Sequence, residues 1–454
     1  MSTRPRGPAE YTALRGWPGN LILRPWFDRL ALHAISRWYF PLSRAWAAAL
    51  ACGGSPERFI SASYPDGISG RISDKRVRSL IGAAEARRRA YESAQADWEG
   101  LLFDSPSSAS AGADLVAAQL RRQEAAQALM AVRRFGLGLH LSHAFPPVRW
   151  DMAVPAEMPE RQVRRLANPA AAFPVPVPPS IARSFGVPAV HGQVSWLRYE
   201  SPVLGDTAWA RVVEPSEGGA HSVPTLIFLH GIAMESEFWR DTADITSGLV
   251  HQGVRVIHPE APWHGRRRLE GWYGGEPAIG RGPLGLIELF EAWVAEAAVL
   301  VAWARDRGGA VAIGGVSLGA LTAQLAAATV CPDALFLVAT TGDLVDMAHR
   351  GSLPRAVGLP ARLKAAGWDH AALMRWAPLQ TPSGAPALPA TQIVIVLGQA
   401  DDLLPFSGGH DLARCWNVPV GNLFIRPQGH FSVSLGLGRA PQPLRRLASL
   451  LHET

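Results

Sequence analysis

One stretch limits what this chain can fold into more than any other. Ala310-Val-Ala-Ile-Gly-Gly-Val-Ser317-Leu-Gly319-Ala runs on into Leu321-Thr-Ala-Gln-Leu-Ala326. It reads as a buried strand, a glycine-flanked turn and a small-residue helix, with one serine at the apex. A serine on so sharp a turn is held in a strained backbone conformation, and side chains two residues either side would crowd it. Glycine at 315 and 319 removes the crowding and lets the helix pack close to the strand. The turn also aims the Leu318 N–H and the helix N-terminus at the space above the hydroxyl, where a negative oxygen would be stabilised. Ser317 is therefore a candidate nucleophile.

The surrounding pattern sets the fold class. Val194–Tyr199 and Thr207–Val213, separated by Ser201-Pro-Val-Leu-Gly-Asp206, predict a hairpin. Thr225–Leu229 is wholly apolar, as a strand covered on both faces should be. A helix around Arg240–Gln252, a strand at Val254–Ile257 and a long helix around Gly285–Ala304 lead to the serine stretch. Strands at Ala334–Val338, Gln392–Leu397 and Asn422–Ile425 follow. Strands alternating with helices predict an α/β fold with a mostly parallel sheet, and ligands at the carboxyl ends of its strands.

Four elements, in this order, carry a family resemblance. His230-Gly231-Ile232 directly follows an apolar strand; Gly315-x-Ser317-x-Gly319 forms the turn; Gly398-Gln-Ala-Asp401 follows a later strand; and Gln428-Gly429-His430 follows the last one. From about residue 194 to 454 the chain resembles an α/β-hydrolase, whose nucleophile elbow and Ser…Asp…His order these elements match. The resemblance implies Ser317, Asp401 and His430 as a catalytic triad. It also implies the Ile232 and Leu318 amides as the oxyanion hole, with His230 structural. Asp343 and Asp346 lie where some members of the family carry their acid, but the Gly-x-x-Asp turn favours Asp401 over them and over Asp402. His349 and His410 do not follow a strand in the right place.

Residue chemistry points the same way. A serine hydroxyl is a poor nucleophile near neutral pH and needs a base poised there, which is histidine. That histidine needs a carboxylate to fix its tautomer. The expected activity is cleavage of a carboxylic ester or thioester through an acyl-enzyme, without metal or cofactor. Acyl transfer by the same intermediate and an inactive, hydrolase-like binding module are the alternatives. Pro259-Glu-Ala-Pro-Trp263-His264-Gly265-Arg266-Arg-Arg268 departs from the family's usual turn. Its arginines suit an anionic substrate or an ion-pair network with Glu260, Glu270 and Glu276; the network is the expectation, and Trp263, His264 and Arg266 stand as candidate substrate contacts. Residues 342–390 occupy the position of a lid, and their apolar side chains would favour lipophilic substrates.

The first third differs in character. Residues 1–150 hold 20 Lys and Arg against 12 Asp and Glu, a net +8, while the remainder holds 24 against 26, a net −2. Residues 1–168 are expected to be a mainly helical accessory region, and the proline-rich 169–190 a stiff connector to a catalytic domain over 191–454. Residues 74–99 and 114–134 predict a helical pair broken at Ser105–Gly112. Trp26, Phe27, Leu30, Ala34, Ile35, Trp38 and Trp46 form an apolar helical stripe interrupted by Arg24, Asp28, Arg29, Arg37 and Arg44. The stripe suits packing on the catalytic domain, which is the expectation, or peripheral contact with an anionic membrane. No uncharged run is long enough to span a bilayer, no secretory h-region is present, and Cys52, Cys331 and Cys415 make no disulfide framework. A cytoplasmic protein without a nucleic-acid partner is expected.

Overall fold

The computed structural model of the chain describes residues 19, 22–64, 67, 72–104, 109–189, 192–215, 222–234 and 244–454, with side chains at 109–112 excepted. Among these residues one sheet contains ten strands. They are β1 (Ala182–Arg183), β2 (Val187–Ala189), β3 (Gly192–Glu200), β4 (Thr207–Glu214), β5 (Thr225–Leu229), β6 (Arg255–Pro259), β7 (Val311–Val316), β8 (Ala334–Val338), β9 (Ile393–Gly398) and β10 (Leu423–Arg426). The spatial order is β1-β3-β4-β6-β5-β7-β8-β9-β10, with β2 also on β3. From β6 to β10 neighbouring strands are parallel, and the hairpin β3–β4 adds on antiparallel through β4 and β6. The mostly parallel sheet flanked by helices is the architecture expected from the sequence.

The strand residues alternate between two cores because successive side chains point to opposite faces. Ile227, Leu229, Ile313, Leu335, Leu337 and Ile395 face one layer, shared with the helices Gly282–Arg305 and Leu318–Val330. Leu226, Phe228, Val256, Phe336, Val338 and Val396 face the other, closed by the C-terminal helix Gln442–Glu453. With both faces covered, the central strands have no polar positions to show, which is why they read as unbroken apolar runs.

The described residues of the N-terminal region are mainly helical. The elements used below are α1 (Pro25–Ala34), α2 (Phe40–Ala51), α3 (Asp74–Phe103) and α4 (Ala109–Met130). Helices α1 and α2 are joined without a break by a π-helical turn over Ile35–Tyr39. Trp46, Phe59, Val77, Leu80, Leu129 and Phe145 form a core of their own. Residues 105–108, within the expected break between α3 and α4, lie outside the described residues, as do residues 240–243 of the expected helix around 240–252; there the structure describes a helix over Ser247–Val250.

This region is packed onto the sheet rather than tethered to it. Trp98 of α3 meets Trp196 edge-on at 5.0 Å, is covered by the Arg122 guanidinium at 3.6 Å, and belongs to the second core layer. Phe40 stacks on Tyr273, and the Tyr273 hydroxyl donates to the Pro147 carbonyl at 2.9 Å. Of the stripe, Trp46 is fully buried and Trp38 half-buried, while Trp26 is 49% exposed and Leu30 57%. The proline-rich segment ends in the sheet: β1 and β2 both pair with β3. Pro188 is accommodated because β2 is an edge strand. No helix among the described residues is long and apolar enough to cross a membrane.

Two outcomes follow from this packing. Trp98→Ala should cost about 3–5 kcal/mol, read as a lower denaturation midpoint. A chain cut to 191–454 uncovers Trp196, Trp209 and Tyr273 and should aggregate or lose its cooperative melt; a soluble monomer melting like the full chain would contradict the packing argument.

Candidate active site

The carboxyl ends of β5, β7, β9 and β10 converge, and each delivers one element of the site. After β7 the chain turns at Ser317, with φ 55° and ψ −121°, into the helix Leu318–Val330 (α5). The flanking glycines are required. A Cβ on Gly315 would lie 2.4 Å from the Gly319 backbone, and one on Gly319 would lie 2.1 Å from the Leu229 carbonyl oxygen of β5. The Ser317 N–H donates to the Val338 carbonyl at 3.0 Å, locking the turn to the neighbouring strand.

His430 opens a short helix, α6 (His430–Leu435), after β10. Its Nε2 lies 2.9 Å from Ser317 Oγ, and its Nδ1 lies 2.7 Å from Asp401 Oδ2. The other carboxylate oxygen of Asp401 accepts the backbone N–H groups of Leu403 and Leu404, both at 3.0 Å. All three side chains are buried. With Asp401 accepting from Nδ1–H, Nε2 is left to accept the Ser317 hydroxyl. Burial opposes a charge on the ring. Even so, Asp401, through its charge and its hydrogen bond, with smaller contributions from Asp28 and Asp402, holds the His430 pKa above the ordinary histidine value.

The other carboxylates and histidines weighed from the sequence lie elsewhere. Asp343 caps the helix Leu344–Arg350 through the Asp346 N–H, and Asp346 pairs with Arg350. Asp402 accepts the Ser352 hydroxyl and its carbonyl the Ser352 N–H, tying the acid loop to the segment 342–390. His410 stacks against Phe406, and His349 lies in the last turn of the helix that Asp343 caps. His230 accepts the Ala261 N–H at Nε2 and therefore donates from Nδ1 to the Gly231 carbonyl at 2.7 Å, which braces the loop carrying Ile232. The first amides of α5, the Leu318 N–H among them, have no intrahelical carbonyl to donate to.

Ile232, Ser317 and Leu318 line a cavity of about 640 Å3, counted to its open mouth. Apart from Ser317 its walls are apolar: Ile279 and Leu321 from the core side, Leu353 and Val357 from segment 342–390, and Leu403 and Leu404 from the acid loop. Segment 342–390 is a series of short helices, Leu344–Arg350, Ser352–Val357, Leu359–Ala365 and His370–Trp376, and the first two and the start of the third lie over the serine. Leu353 and Val357 were legible as apolar but not as cavity walls, because a run of four short helices has no periodicity to show which face turns inward.

The arginine loop does not reach this cavity. Arg266 donates from its backbone and its Nε to the two oxygens of Glu260, and its guanidinium lies 4.4 Å over Trp209. Arg267 is buried and clamped between Asp206 at 2.8 Å and Glu296 at 2.6 Å. Burial alone would weaken its charge, but Glu296 and then Asp206 raise its pKa well above the ordinary value. Arg268 covers Trp46 of α2 at 4.5 Å. Trp263, with φ 62°, is packed in the core, and His264 is fully buried with Nδ1 on the Pro262 carbonyl. The structure therefore does not bring Trp263, His264 or Arg266 to the serine. The ion-pair alternative describes what these arginines do, with Asp206 and Glu296 as partners that linear spacing did not reveal. Glu276, expected in that network, instead accepts Arg44 of α2 at 3.2 Å and the backbone N–H groups of Arg149 and Tyr273.

Residues 200–343 match the family model described as alpha/beta hydrolase domain containing 18. The matched span includes the Ile232 loop and Ser317 and stops short of Asp401 and His430. No curated protein matches the chain. Acetyl xylan esterase 1 from Thermoanaerobacterium sp. JW/SL YS485 is similar at 16% identity over 67% of this chain and 96% of its own, with a TM-score of 0.43. An acetyl xylan esterase from Paenibacillus sp. R4 is 14% identical over 67% and 97%, with a TM-score of 0.44. An S-formylglutathione hydrolase from Agrobacterium tumefaciens is 18% identical over 59% and 98%, with a TM-score of 0.41. Likenesses this distant carry no information about substrate.

The buried arginine gives a direct check. Arg267→Gln leaves Glu296 buried without its cation and should destabilise the fold by about 3–5 kcal/mol. In the same variant, KM for acidic and neutral esters should shift alike; a selective rise for acidic esters would place the arginines at the substrate after all.

Proposed function

The chain is a member of the α/β-hydrolase superfamily, and on that premise we propose that it is a serine hydrolase cleaving carboxylic esters or thioesters with an apolar acyl group. The observation that carries the reading is the unbroken relay Asp401–His430–Ser317, opening into a cavity whose other walls are apolar. Ser317 Oγ attacks the carbonyl carbon while His430 Nε2 takes its proton. The Leu318 and Ile232 amides hold the negative oxygen of the tetrahedral intermediate. His430 then passes the proton to the leaving alkoxide or thiolate, giving an acyl-serine. Water, deprotonated by the same nitrogen, resolves it to the acid and free enzyme. Asp401 keeps the ring in the tautomer that receives at Nε2 and stabilises the imidazolium.

The acyl group is assigned to the cavity because a chain there displaces water from Leu353, Val357, Leu403 and Leu404, at about 0.8 kcal/mol for each methylene buried. A family of p-nitrophenyl esters of rising acyl length should therefore show kcat/KM climbing over the first few methylenes. A flat profile, or a preference for charged acyl groups, would contradict the assignment. Ser317→Ala should remove turnover, and Asp401→Asn should lower kcat by roughly 10³–10⁴-fold, whereas Asp343→Asn should stay close to wild type. A larger loss at Asp343 than at Asp401 would move the acid to the β8 loop.

The pH profile has a definite sign. His430 must be neutral to take the serine proton, and its pKa is raised. The rising limb of kcat/KM should then lie above the ordinary histidine value of about 6.5. A limb below that value would mean that another group is the base.

A further inference from the structure

Helix α1 belongs to the N-terminal region, yet its Asp28 is buried beside His430. Both oxygens of the carboxylate are engaged there. Oδ1 accepts the backbone N–H of Phe431 at 2.6 Å and of Ser432 at 3.0 Å, and Oδ2 accepts the Ser432 hydroxyl at 2.5 Å. The same hydroxyl oxygen accepts the Gly429 N–H at 2.9 Å. The backbone on either side of His430 is thus held in one network that ends on Asp28. Gln428 adds a second tie, its amide donating to the Leu23 carbonyl at 3.2 Å.

A short helix leaves its first N–H groups without partners, and an N-cap side chain normally supplies them from within the local chain. Here the N-cap is Gly429, which has no side chain to offer. Nor is there room for one, since a Cβ on Gly429 would lie 2.5 Å from Asp28 Cγ. The cap comes instead from a residue 403 positions away in sequence. Removing it would leave buried donors without partners, and the turn beneath the imidazole would have to move to satisfy them.

We propose that Asp28 is a positioning residue for His430, so that docking of α1 completes the active site. It touches no reacting atom. It fixes the backbone from which the ring projects, and it adds a second negative charge behind the imidazolium that forms during turnover. The charged groups acting on His430 are Asp401 and Asp402 from the loop after β9 and Asp28 from α1, while Ser317 occupies the remaining ring nitrogen. The proposal rests on the reading of Ser317, His430 and Asp401 as the catalytic groups.

The test compares full-length wild type, Asp28→Ala and Asp28→Asn on a short, soluble p-nitrophenyl ester, with thermal melts. It also follows the His430 ring by NMR titration of protein labelled at its histidines, the signal identified by its loss in His430→Gln. Asparagine keeps an oxygen for the two amides and removes the charge; alanine removes both. The expected result is a loss of roughly 10- to 100-fold in kcat for alanine, with KM little changed. Asparagine should recover most of that kcat, with the rising pH limb and the His430 titration both moved to lower pH, because a negative neighbour has been neutralised. If alanine does not fold, the titration in asparagine decides alone. Alanine within twofold of wild-type kcat, or a His430 titration unmoved in asparagine, would overturn the proposal. Wild-type protein without turnover would instead sink the hydrolase reading, while the titration would still decide whether Asp28 acts on His430.

Discussion

The close approach of the helix after Ser317 to the strand beneath it is the constraint on which the rest of the structure depends. Gly319 sits against the Leu229 carbonyl with no space for even a methyl group, and Gly315 sits against Gly319 in the same way. That contact forces the serine into its left-handed turn and fixes β5 and β7 side by side, with Leu229 opposite Gly315. The loop after β5 is thereby aligned with the loop after β7, which brings Ile232 and Leu318 to the wall of the same cavity as Ser317. A sheet of parallel strands carries the same alignment outward. Val316 pairs with Val338 and Val338 with Val396, so the acid loop after β9 ends at the same level.

Burial then decides what the polar groups near this edge can do. Asp401, Arg267, Glu276 and Asp28 are each almost fully enclosed, and each has its hydrogen-bonding capacity taken up by named partners. Removing one partner from such a group is costly, because the survivor has no water to turn to. Among the described residues, contacts of this kind join the N-terminal region to the sheet, its helices or its loops, among them Arg44 with Glu276, Arg149 with Glu276, and Asp28 with the turn of His430. The N-terminal region therefore contributes specific geometry near the site in addition to covering Trp196 and Trp209.

What could be read from the sequence follows from how local each signal is. The serine turn, the Gly-x-x-Asp turn and the apolar strands are written in contiguous residues, so the parallel sheet and the order Ser317, Asp401, His430 were legible before any coordinates. Asp28 was not: in the sequence it is one charge interrupting an apolar helix, and its partners lie some 400 residues on. The arginines at 266–268 gave an ambiguous signal for the same reason, since Asp206 and Glu296 are not near them in sequence. The strands β1 and β2 were hidden by proline, which marks extended backbone without saying that β3 would offer an edge to pair with. In each case the missing information was the identity of a distant partner.

The central claim is that Ser317 is a nucleophile activated by His430, and covalent labelling addresses it most directly. The full-length protein is treated with a fluorophosphonate, digested, and mapped by mass spectrometry, in parallel with His430→Gln. The account predicts one adduct per chain, on the peptide containing Ser317, and a labelling rate that collapses in the histidine variant. An unlabelled protein, an adduct on another residue, or labelling that proceeds equally fast without His430 would contradict it.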